Sequence, residues 1–178
     1  MEITVTTPPT PPVSLENFKL HLSMNDDSAD DLLEEYLEAA VEMLMDATGF
    51  VPGEAEFVAT ITDWPTDGEV LIPRRPLVSV DSVKADDQGD ETDLDFTAQL
   101  STGKVTITSD EPESFDQITI TFTAGNTCPA RFKVVTKLLA AHLYANREAF
   151  SDVQLAEVPA GFSYVVQQLR GSLGVAHA

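Results

Sequence analysis

Residues 118–124 read Ile-Thr-Ile-Thr-Phe-Thr-Ala, so Ile118, Ile120, Phe122 and Ala124 alternate strictly with Thr119, Thr121 and Thr123. Side chains on a strand point to opposite faces in turn, and this run is therefore a strand with one buried and one wet face. The same period of two runs through the middle of the chain, in Phe57, Ala59 and Ile61, in Val70 and Ile72, in Val78 and Val80, and in Val105 and Ile107. Asp87-Gln88-Gly89-Asp90 and Ser101-Thr102-Gly103 supply turn chemistry between such runs. Residues 52–125 thus predict a small antiparallel sheet.

On both sides of that block the period changes to that of a helix. Ser14 can cap a helix over Leu15–Leu22 with Leu15, Phe18, Leu22 and Leu20 apolar. Asp26, Asp27 or Ser28 caps a second helix that stops at Gly49, and Leu33, Tyr36, Leu37, Ala40, Leu44 and Ala47 form its buried stripe. Pro129 opens a third helix, where its missing N–H is harmless. Phe132, Val135, Leu139, His142, Leu143, Asn146 and Phe150 line one side of it, and Val134, Leu138, Ala141 and Ala145 line another. So wide an apolar surface predicts a central helix packed on most sides. Pro159 opens a last helix, Ala160 to about Arg170, with Phe162, Val165, Val166 and Leu169 apolar. The fold class is α+β: a helical core of about four helices with an inserted small antiparallel β-sheet. Residues 14–178 form a single domain, with helices over about 14–49 and 129–171 and the β insertion over about 52–125. Residues 1–13, with four prolines between Thr6 and Pro12, make a flexible arm that either orders on a partner or stays disordered.

Thirty acids face ten bases, for a formal net charge of -20. Free nucleic acid is a poor partner for such a surface, because counterion release needs Lys and Arg to replace phosphate counterions. The imbalance is uneven: 27 acids and 5 bases precede Pro129, and 3 acids and 5 bases follow from there. The last third is a natural docking partner for acidic surfaces on the same or another subunit. Adaptation to a saline medium is the other reading of the charge. No apolar run approaches the ~20 residues of a membrane-spanning helix, and Met1–Pro12 is no signal peptide. A single cysteine excludes an internal disulfide framework. These features fit assembly in the cytoplasm, without membrane contact.

Glu34, Glu38, Glu42 and Asp46 form an unbroken row of acids at i, i+4 spacing, where like charges cost a few tenths of a kcal/mol per pair, roughly, in an isolated helix. The row is a solvated face, or it meets Lys133, Lys137, Arg147 or a neighbour's bases, or it lines a DNA channel. Asn25–Asp31 lacks the glycine and distal ligand of a calcium loop and reads as capping chemistry. Asp86–Asp95 reads as a charged loop. His21, His142 and His177 match no metal or catalytic spacing, and His142 reads as a core histidine. Cys128 precedes a helix, but no Cys-His signature surrounds it, so its reading is structural. Phosphate loops, nucleophile elbows and zinc-protease motifs do not occur in the sequence. No catalytic residue, cofactor or metal is expected. Arg74 and Arg75 are notable because bases are scarce, and they are candidate partners for a salt bridge.

Four segments, in order, resemble the ring-forming head-to-tail adaptor family of long-tailed phages. They are Ser14–Leu22 with Asp30–Leu33 and Ala39–Gly49; Ile72–Val83, which holds Pro73-Arg74-Arg75-Pro76; Pro129–Lys133 continuing to His142–Ala149; and Val158–Phe162 ending at Leu169-Arg170. The resemblance covers about Ser14 to Arg170, and it departs at Ala145, where the family often has an acid, and in the strongly acidic sheet region. It implies a non-enzymatic virion protein of the neck, a dodecameric ring beneath the portal protein that offers a platform to the stopper or tail-completion protein. Double-stranded DNA would pass through its lumen without sequence-specific binding. On that resemblance Arg131, Lys133 and Lys137 would bridge to the next subunit's acidic helix, and Arg147 would fix the end of its helix against the following loop or a neighbour. With Glu34, Glu38, Glu42, Asp46, Arg74, Arg75 and Arg170 they are the candidate subunit or partner interface. The rival expectations are a stopper or tail-completion protein, and an acidic inhibitor that mimics DNA.

Overall fold

A strand whose inward side chains are all apolar belongs in the middle of a sheet, and β8 (Gln117–Ala124) is found there. The computed structural model describes residues 1–109, 115–146, 166–168 and 170. Its chain divides into two units, one of Met1–Thr10 with Gly53–Asn126, the other of Pro11–Pro52 with Thr127–Ala178.

In the first unit β8 lies between β2 (Ala55–Ile61) and β4 (Leu77–Asp87), all antiparallel. Ile118, Ile120, Phe122 and Ala124 are buried, as their alternation requires. Phe57 stands opposite Phe122 in the ladder, and the two rings stack at 5.3 Å and 14°. Across β2 the sheet ends in β1 (Glu2–Thr7), and across β4 it ends in β5 (Asp90–Asp93). β1 occupies residues that the sequence reading assigns to the arm. The prolines begin only at Pro8, and the stretch before them keeps the N–H groups a ladder needs.

The β-strand reading failed in phase at β4. Val78 is exposed and Val80 half-buried, while Leu77, Val83 and Ala85 are the buried residues. The register against β8 slips between Leu77 and Ser79 and again between Val80 and Ser82. Each slip is a bulge, and one extra residue turns every later side chain to the opposite face. A second sheet also exists where one was expected: β3 (Glu69–Leu71), β7 (Lys104–Thr108) and β6 (Asp95–Gln99), in the order β3-β7-β6. The chain passes from one sheet to the other at Leu94, whose N–H donates to the Val83 carbonyl at 2.9 Å. β5 and β6 bury no residue and so lack the alternation that betrays a strand.

The second unit is helical. α1 (Leu15–Leu22) is capped by Ser14, whose hydroxyl accepts the Asn17 N–H at 3.3 Å, an arrangement worth about 1 kcal/mol. α2 (Asp30–Thr48) stops at Gly49, which takes φ 72° and donates its N–H to Met45 at 2.7 Å. Its N-cap is Ala29, not one of the polar residues expected. Those residues are engaged elsewhere. Asp26 accepts the N–H and hydroxyl of Ser28, while Asp27 and Asp30 grip the Lys19 ammonium at 2.6 and 2.7 Å. The two hydrogen bonds raise the Lys19 pKa above that of a free lysine, and the Ser28 hydrogen bonds lower that of Asp26.

α3 (Ala130–Ala145) runs antiparallel to α2, with Phe50 against Phe132 at 5.3 Å and Tyr36 edge-on to Tyr144 at 6.2 Å. The core joins Phe18, Leu33, Leu37, Ala40, Leu44, Phe132, Val135, Leu139 and Val166. Residues 166–168 and 170 are helical, within the span predicted for the last helix. Phe150, Phe162, Val165 and Leu169 lie outside the described residues. The expectation that α3 is packed on most sides does not hold. Val134 and Leu138 are half exposed, and the helix buries one face only.

Candidate subunit interface

The candidate site is a surface, the charged faces of α2 and α3. Among the described residues no three His, Cys, Asp or Glu side chains are placed to hold a metal ion, and no helix is long and apolar enough to cross a membrane. The Asp86–Asp95 segment is a hairpin rather than a loop. Asp86 accepts the Gly89 N–H at 2.8 Å, and Lys84 pairs with Glu91 at 2.9 Å.

The bases expected at interfaces divide into two kinds. Arg75 is committed within its own unit: its guanidinium donates to the carbonyls of Ser101 at 3.4 Å and of Thr102, and partial burial lowers its pKa. A Cβ on Gly103 would lie 2.6 Å from the guanidinium carbon, so a side chain there would push the Arg75 tip aside, and the φ of +66° at Gly103 already favours glycine. Arg74 stands 5.9 Å above the Phe57 ring, a cation–π contact. Arg170, half-buried, donates to the Ala47 carbonyl near the C-terminus of α2, a helix end with no base of its own. Arg147 lies outside the described residues.

The second kind sits on α3. Arg131 and Lys133 are exposed, Lys137 is half-buried, and all lie beside the Val134–Leu138 face. The acids Glu34, Glu38, Glu42 and Asp46 are exposed along α2. Among the described residues no ion pair joins Glu34, Glu38 or Glu42 to Lys133 or Lys137. One subunit therefore carries an acidic helix face and a basic helix face, with Glu34, Glu38 and Glu42 not paired to Lys133 or Lys137.

His142 is half-buried with its Nδ1 3.3 Å from the Asn146 amide, and Asn146 caps α3 by donating to the His142 carbonyl at 2.7 Å. Cys128 is half-buried, and burial pushes its thiol pKa up, with Lys133 acting in the opposite sense. A raised pKa means less thiolate at a given pH. At pH 8 iodoacetamide is expected to alkylate Cys128 more slowly in the folded chain than in urea, with the gap narrowing as pH rises. Equal rates in the two states would contradict this.

A family model described as head completion protein matches residues 13–154. The chain belongs to the head completion protein family. No curated protein matches its sequence significantly. The fold of this head completion protein is shared with chains in structures of gene transfer agent (GTA) particles. One comes from the neck of an empty GTA particle computed with C6 symmetry, at TM-score 0.70 and 20% identity, covering 96% of this chain and 95% of that one. A second comes from the virion of a native gene transfer agent particle, at TM-score 0.70 and 21% identity with the same coverage. A third comes from the neck of a native GTA particle computed with C12 symmetry, at TM-score 0.69 and 22% identity, again covering 96% and 95%. Head completion is a structural task at the head-to-tail junction, and this head completion protein is a connector component.

The exposed face of α3 is what sequence reasoning missed. Its signal was present, since Val134, Leu138, Ala141 and Ala145 succeed one another by four, three and four residues. Such spacing marks a face that gets buried, but does not say whether its cover comes from the same chain.

Proposed function

We propose that this head completion protein is the adaptor of a tailed phage or phage-like particle: a ring subunit in the virion neck, beneath the portal, that extends the DNA channel and offers the stopper or tail its docking platform. The observation that carries this reading is the family match over residues 13–154. The shared fold with chains from GTA necks supports it, because those particles were computed with C6 and C12 symmetry and a ring of twelve satisfies both. Identical subunits joined head to tail form a heterologous contact, which closes into a ring when its rotation closes. An acidic face and a basic face on one subunit suit that geometry. The net charge of -20 suits the passage of DNA, since a wall poor in bases releases few phosphate counterions and does not hold the duplex. The role is structural, and the proposal includes no reaction.

The test is particle assembly without the chain. DNA-filled heads lacking tails are expected to accumulate, and the full chain supplied separately is expected to restore joining. Tailed, infectious particles formed in its absence would overturn the reading.

A further inference from the structure

We infer that the exposed apolar stripe of α3 docks against the acid-flanked face of α2 in a second copy of the same chain. This deepens the ring proposal and rests on it. Val134 and Leu138 are 50% and 52% exposed, and Ala145 is exposed beside them. With half-buried Ala141 they form one line on a helix of 3.6 residues per turn, in the four-three-four spacing of a helix-pairing seam. Arg131 borders the line on one side, and Lys133 and Lys137 border it on the other. Apolar side chains at this spacing, left half in water and rimmed by charge, mark an interaction surface.

The occupant is chosen by charge. From Ala130 to Ala145 there are three bases and no acid, so the complementary surface must be acidic. From Asp30 to Thr48 there are seven acids and no base. α2 also carries an apolar line of its own outside the core. Met43 is 48% exposed, and Ala39 and Leu32 are half-buried on the same side. Glu35, Glu42 and Asp46 run beside that line. Seam against seam, with the lysines of one copy beside the carboxylates of the next, buries both lines and compensates both charges. Within one subunit α2 and α3 already meet through other residues, Tyr36 with Tyr144 and Phe50 with Phe132, so their outer faces remain for neighbours. Each copy then offers one face of each kind, as a closed ring requires.

The experiment places Met43→Cys in one chain and Leu138→Cys in another, both with Cys128→Ser, and co-assembles them into particles whose necks are purified and oxidised. A disulfide-linked dimer containing one chain of each kind is expected, and neither chain alone should give it. A single chain carrying both cysteines is expected to give a ladder of multimers. Normal necks without the mixed dimer would overturn the inference and leave the ring proposal standing, and so would a bond closed inside one chain. Absence of the unaltered chain from necks would instead overturn the ring proposal itself. Should the cysteine chains fail to enter particles, charge exchange decides. Lys133→Glu with Lys137→Glu, and separately Glu35→Lys with Glu42→Lys, are each expected to abolish incorporation, and one chain carrying all four changes is expected to regain it. Harmless pairs, or a fourfold chain as defective as either pair, would contradict the docking.

Discussion

Gly125→Ala is expected to prevent the β unit from folding. Gly125 follows β8 directly, with φ at +127°, a region that side chains rarely enter. Its N–H donates to the Pro76 carbonyl at 2.8 Å, which fixes the backbone in place. A Cβ there would lie 1.7 Å from the Gly53 carbonyl oxygen and 2.5 Å from its carbon. Both are backbone atoms, and Gly53 is itself held by an N–H donated to the Asn126 carbonyl at 2.8 Å, so no flexible side chain can yield. The expected loss exceeds about 4 kcal/mol, the range reserved for severe steric conflict. Gly89→Ala is the control: φ is +100° and nothing lies within 4 Å of the added carbon, so only backbone strain of about 1–2 kcal/mol is expected. Urea denaturation followed by circular dichroism compares the two variants. Equal stabilities would refute the packing described for the end of β8.

Phe122→Ala is expected to remove about 3–5 kcal/mol, the usual cost of emptying a buried phenyl site. Phe122 is fully buried on the central strand and stacks on Phe57, which in turn carries Arg74 on its ring. The stack adds about 0.5–1.5 kcal/mol beyond the area buried. The urea midpoint should fall on the order of 2 M. Phe122→Leu keeps most of the volume and should lose distinctly less. Leu138→Ala, on the half-exposed face of α3, should leave the midpoint of the isolated chain nearly unchanged, because no cavity forms. A large loss from Leu138→Ala would mean that its face is covered within the subunit.

How far the sequence foretold the fold depended on whether a residue's local pattern decided its environment. β8 and α1 were legible whole, because an unbroken alternation and a Ser cap each act over a few neighbouring residues. β4 was not, since its two bulges shift the inward set in a way only the pairing with β8 reveals. β5 and β6 were invisible because Asp90–Asp93 and Asp95–Gln99 are held by backbone ladders and bury nothing. Ala29 displaced the polar caps expected for α2 because Asp27 was drawn to Lys19 from another helix, a tertiary contact. The candidate surface was half legible. The charges of α2 and α3 are plain in the sequence, yet Arg75 looked as available as Lys133 until its guanidinium was found on the carbonyls of Ser101 and Thr102. Apolar spacing gave the Val134–Leu138 face without saying that water reaches it.

The position of the chain in an assembled particle decides its role. A reconstruction of the purified neck, refined without imposed symmetry, should resolve this chain as a closed ring of identical copies directly below the portal, with DNA or its empty channel on the axis. Density for the chain away from that junction, or in copies that form no ring, would contradict it.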